Sequence, residues 1–115
     1  MIREQGNVRI ETKEALRGGK GTAEFQHLCE KEELNGKGRV FAKIVLQPGC
    51  SIGYHVHEGE SETFYILSGR ALYSDNGVCV ELEPGDTAYN PSGSGHSIES
   101  IGSTPLELVA LILYT

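Results

Sequence analysis

Along most of its length the chain alternates apolar and polar side chains in short runs, and each run ends at glycine, proline or a polar cluster. Thr22–Cys29 alternates loosely and Arg39–Gln47 more regularly. Ser51–His57, Glu62–Leu67, Ala71–Ser74, Val78–Leu82, Thr87–Tyr89, His96–Ser100 and Leu106–Leu113 follow. A period of two is that of a β-strand with one buried face. Pro48-Gly49 and Pro84-Gly85 set proline before glycine as a type II turn requires, with glycine supplying the positive φ. Asn76-Gly77, between two runs, is the strongest hairpin signal in the chain. Many short strands at this spacing predict an all-β sandwich or barrel rather than a parallel sheet with crossover helices.

The N-terminal stretch differs. Val8-Arg9-Ile10 predicts a short edge strand, and Thr12–Gly18 one helical turn with a threonine cap and a glycine stop. Residues 1–21 are therefore read as an arm packed on a barrel domain of residues 22–115. A length of 115 residues suits one core and not two.

Alternation also organises the histidines. His55 and His57 share a parity and face one interior, while Tyr54 and Val56 face the other way. Glu62 opens the next apolar run after a polar connector, Glu58–Ser61, that reads as a hairpin loop, and it shares its face with Phe64 and Ile66. His96 follows the turn-forming Asn90–Gly95 and shares its face with Ile98 and Ser100. Three neutral imidazoles and one carboxylate suit a first-row divalent metal, with up to two octahedral positions left for water, substrate or dioxygen. His27 lies outside this pattern and reads as a packed imidazole. Glu58 and Glu60 read as solvated loop residues.

The same residues carry a family resemblance. Gly49-x5-His55-x-His57-x4-Glu62-x6-Gly69 resembles the first motif of the cupin superfamily at every defining position. Gly85-x5-Pro91-x-Gly93-x2-His96 is similar to the second, except that Ser100 stands where the pattern ends in asparagine. The short interval between the motifs resembles small single-domain bacterial cupins, with a distant similarity to oxalate decarboxylase domains. The resemblance implies a double-stranded β-helix, or jelly-roll, barrel with His55, His57, Glu62 and His96 as the metal ligands. It implies one divalent transition metal per chain, Mn or Fe favoured over Zn, Ni or Co.

Composition narrows the partners. A net charge of −6 and a pI near 5.1 lack the basic footprint of a nucleic-acid binder. The longest apolar stretch, Leu106–Tyr114, is too short to span a bilayer as a helix. Three scattered cysteines, Cys29, Cys50 and Cys79, favour free thiols in a reducing compartment, hence the cytoplasm. Tyr54, Val56 and Tyr65 face away from the metal yet are apolar, which a covering arm or a homodimer partner would explain. The function that the cupin resemblance implies is a small metalloenzyme, a decarboxylase, dioxygenase or isomerase, taking a small anionic ligand such as an organic acid or enediol. A non-catalytic metabolite- or metal-binding module is the alternative.

Overall fold

The computed structural model describes all residues, 1–115. It contains ten strands: β1 (Arg9–Glu14), β2 (Thr22–Cys29), β3 (Gly38–Leu46), β4 (Ser51–Val56), β5 (Glu60–Ser68), β6 (Ala71–Asp75), β7 (Val78–Leu82), β8 (Thr87–Asn90), β9 (Gly95–Ser100) and β10 (Leu106–Tyr114). All ladders are antiparallel, in a six-stranded sheet of order β1-β2-β3-β10-β5-β8 and a four-stranded sheet of order β4-β9-β6-β7. The only helical pieces are three short 3-10 turns, and no helix is long and apolar enough to cross a membrane.

Alternation becomes packing in the larger sheet. On the inner face of β3 and β10 the directly opposed pairs are Leu46 with Leu106, Ile44 with Leu108, Ala42 with Ala110 and Val40 with Ile112. All of them are buried. The small pair Ala42/Ala110 lies in one cross-strand row with Phe64 and Ala88, so a large ring fills the space that three methyl side chains leave. The next row runs Val40, Ile112, Glu62, Asn90. A carboxylate in an otherwise apolar inner row carries a desolvation cost, which its partners must offset.

The turns behave as their residues dictate. Asn76 and Gly77 (φ 50° and 95°) close the β6–β7 hairpin with two positive φ values, the signature of a type I′ turn. Gly49 and Gly85 have φ of 85° and 95°.

Two local expectations change. The connector after His57 is not a hairpin: β4 pairs with β9 and β5 with β10 and β8, so residues 57–59 carry the chain from one sheet to the other. The helical turn read over Thr12–Gly18 shrinks to a 3-10 turn at Leu16–Gly18. Thr12, Lys13 and Glu14 stay paired with Glu24, Ala23 and Thr22 as strand β1, because ladder hydrogen bonds outweigh a weak local helix signal. Tyr54, Val56 and Tyr65 are about half exposed, so any cover from the N-terminal segment is partial.

Candidate metal centre

The crossing from β4 to β5 brings the two sheets together at one end of the barrel. His55 is on β4 directly opposite His96 on β9, His57 follows the last residue of β4, and Glu62 faces them from β5. Their ligand atoms all lie within 4.8 Å of one another. His55 Nε2 is 3.0 Å from His57 Nε2 and 3.2 Å from His96 Nε2. Glu62 Oε1 is 2.9 Å from His57 Nε2 and 3.0 Å from His96 Nε2. Ligands at roughly 2.0–2.2 Å from one ion are separated by about 2.8–3.1 Å along an octahedral edge and by about 3.3–3.6 Å along a tetrahedral one. Three of the four separations lie on the octahedral edge, and the His55–His96 separation of 3.2 Å falls between the two ranges.

The outward nitrogens explain why the inward ones converge. His55 Nδ1 is 2.7 Å from the Gly53 carbonyl oxygen and His57 Nδ1 is 2.7 Å from Glu60 Oε1. Both partners only accept, so each Nδ1 carries the proton and each neutral ring presents an Nε2 lone pair inward. His96 Nδ1 lies 2.9 Å from the phenolic oxygen of Tyr73, which can accept in the same way. With the rings neutral, three imidazole lone pairs and a carboxylate meet within a few ångströms, an arrangement that a cation satisfies; without one, a second proton on His57, favoured by Glu62 and Glu60, donates to Glu62 instead. The donor set therefore fits a divalent transition metal.

The surroundings hold the four groups rigid. The Phe64 ring stacks on His96 with centroids 5.1 Å apart and planes within 11°. Tyr73 is buried, which pushes its hydroxyl well above its ordinary pKa and keeps it protonated. Burial pushes the Glu62 carboxyl up, but hydrogen bonds from His57 and His96 outweigh it and leave the group ionised. Burial likewise lowers His55. His57 moves the other way, raised by its hydrogen bonds to Glu62 and Glu60.

Glu60, read from sequence as a solvated loop residue, does structural work here. Its two oxygens accept from Arg39 Nε and Nη2 at 2.8 and 2.7 Å while Oε1 also holds His57. Arg39, and then His57, hold its carboxyl at about 2. Arg39 reaches this position through a register shift: Ile112 pairs with Val40 and Leu113 with Gly38, leaving Arg39 without a partner on β10. An extra residue in a strand re-aims side chains, and here it turns a residue of outward parity toward the site. Neither support was legible in the sequence, since a bulge leaves no signature in alternation. Tyr73 was detectable only as an inward residue of its run.

The residues set aside stay apart. His27 Nε2 bonds Glu11 Oε1 at 3.0 Å, away from the cluster, Glu58 is exposed, and Tyr89 lies on the outer face. Ser100 Oγ is buried without a partner, so the hydrogen bond that asparagine makes in the family pattern is not replaced. Beside the cluster lies a cavity of about 90 Å³ lined by Leu16, Phe25, Val40, Ile44, Ile52 and Ile112, together with Lys13, Arg17 and Arg39.

Comparison with known proteins agrees with this geometry. An oxalate-binding protein of Thermotoga maritima is 48% identical over 98 residues, covering 85% of this chain and 81% of its own length. The crystal structure of a predicted oxalate decarboxylase from the same organism superposes with a TM-score of 0.95 at 43% identity, over the whole of both chains. A germin-like protein of Brassica napus is 36% identical over 77 residues, 63% of this chain and 37% of its own length. The cupin domain of Cnp3 from Schizosaccharomyces pombe, at 15% identity and a TM-score of 0.74, shares the fold, with 97% of this chain and 72% of that one aligned. The family model for the cupin domain matches residues 42–112, a span that holds all four converging ligands, and the chain belongs to the cupin family.

Proposed function

We propose that this cupin holds one divalent transition metal, Mn or Fe, on His55, His57, Glu62 and His96, and uses it to bind and act on a small organic acid. The carrying observation is the convergence of three Nε2 atoms and one carboxylate whose outward atoms are already committed. Bound there, the metal supplies Lewis acidity and open coordination positions for the oxygens of an anion. Glu60, Gly53 and Tyr73 fix the tautomer and orientation of the three rings. Ile52, Ile112 and Val40 cover the carbon skeleton of a ligand and exclude water. A cavity of this size admits an oxalate, a short 2-oxo acid or an enediol and excludes nucleotides and polymers. The name of the oxalate-binding relative supports the same ligand class.

Decarboxylase- or dioxygenase-type turnover is the first reading. The alternative is a non-catalytic module that binds the anion or the metal, and one observation favours it. Outside the ligand set, no carboxylate or imidazole lines the cavity to deliver a proton to carbon. Metal analysis of the purified protein, then calorimetric titration with oxalate and a turnover screen of small organic acids with and without dioxygen, tests both. About one metal per chain with product formation supports the enzyme. Metal and tight oxalate binding without turnover support the module. A protein that takes up none of Mn, Fe, Co, Ni or Zn refutes the proposal.

Two further assignments accompany it. The half-exposed Tyr54, Val56 and Tyr65 favour a homodimer, which sedimentation or light scattering checks directly. Three unpaired cysteines favour the reducing cytoplasm.

A further inference from the structure

The N-terminal segment contributes more to the cavity than an edge strand requires. Lys13, on the inward face of β1, and Arg17, in the 3-10 turn, line the same cavity as His55, His57 and Glu62. Neither makes an ion pair, although the chain carries 16 acidic residues against 10 basic ones. Arg39, the third cation on the cavity wall, is committed to Glu60.

The Lys13 ammonium and the Arg17 backbone are held in place. The Lys13 ammonium sits 5.0 Å from the centre of the Phe25 ring. Arg17 is fixed through its backbone, since Ala15 and Arg17 adopt φ of 47° and 55°, a conformation disfavoured for residues other than glycine. The turn closes against β4 where side chains are missing. A Cβ on Gly53 would lie 2.1 Å from the Arg17 carbonyl oxygen, and one on Gly19 would lie 2.2 Å from that of Ser51. Gly53 thus does two things: its carbonyl orients His55 and its bare Cα seats the turn that carries Arg17.

A divalent ion on one carboxylate and three neutral imidazoles keeps a net positive charge, and two uncommitted cations beside it raise the field further. One carboxylate on the metal does not neutralise such a site. We infer that Lys13 and Arg17 form a recognition rim for the second carboxylate of the ligand, so that the site selects small dicarboxylates over monocarboxylates of similar size. The inference rests on the metal–anion reading proposed above and adds the specificity determinant.

The test titrates the full-length, metal-loaded protein with oxalate and, separately, with acetate. Lys13→Met keeps the apolar stem over Phe25 without the charge, and Arg17→Gly removes the guanidinium while suiting the left-handed backbone. Each loss of a charge-assisted contact should raise the oxalate Kd about tenfold or more. Acetate binding should change less than about threefold, and metal affinity, titrated without any anion, should not fall below the parent value. Arg17→Lys should recover part of the oxalate affinity. Thermal midpoints at or above the parent value for Arg17→Gly establish that the variant is folded. Metal-loaded variants that bind oxalate as the parent does overturn the rim and leave the metal–anion reading standing. A parent that takes up metal but prefers oxalate no more than acetate overturns the rim as well. A parent that takes up no metal overturns both.

Discussion

Replacing Glu60 by glutamine tests the support of the metal centre with little change of shape. Glu60 accepts from both Arg39 and His57, and its side chain is 13% exposed against 33% for Arg39. Glutamine offers one acceptor oxygen where the carboxylate has two, so one of the two donors must face an amide N–H. The fall of the carboxyl from an ordinary 4.5 to about 2 corresponds to about 3 kcal/mol of preference for the ionised form. Solvent screening at the partly exposed Arg39 lowers the measurable share to about 1–2 kcal/mol. The sign follows from the depressed carboxyl: its stabilisation is fully present above about 4.5 and is lost as pH falls toward about 2. Urea unfolding of metal-free parent and variant should therefore show a gap of about 1–2 kcal/mol at pH 7 that closes over that acid window. Metal affinity at pH 7 should drop about 10–100-fold, the usual effect of removing a partner that orients a ligating histidine. A stability gap constant from neutral to acid pH, or a variant that binds metal as tightly as the parent, would refute the reasoning.

His96→Ala should abolish or greatly weaken metal binding while far-ultraviolet circular dichroism stays that of the parent, because 18 buried apolar residues hold the barrel independently of the metal. An unfolded variant together with an unfolded metal-free parent would make the metal structural. His57 is raised above 6.5 by Glu62 and Glu60, so metal must displace a proton there. Affinity should rise from pH 5 to 8 with measurable proton release, and a pH-independent affinity would count against the assignment. Gly53→Ala should cost about 1–3 kcal/mol by thermal or urea unfolding, since the new methyl meets the Arg17 carbonyl. A neutral outcome would show that the turn shifts freely.

Strand parity alone placed His55 and His57 on one face, set Glu62 with Phe64 and Ile66, and set His96 with Ile98 and Ser100. The period of two is a property of the extended backbone and holds whatever the strand pairs with. Asn76-Gly77 and the proline–glycine pairs likewise fixed their turns through local φ requirements. Strand partners depend on packing between distant segments, so only the tertiary structure decided that β4 and β5 lie in different sheets and that Thr12–Glu14 extend β1. The same holds for the residues around the converging cluster. Arg39 reaches Glu60 through a bulge, Glu60 becomes the anchor of His57 after the crossing between sheets, and Tyr73 meets His96 across the β6–β9 ladder. Lys13 joins the cavity through the pairing of β1 with β2, and Arg17 because two missing side chains, at Gly19 and Gly53, let the turn close on β4. The four converging side chains were legible because their positions follow a local period, and their supports were not because long-range contacts position them.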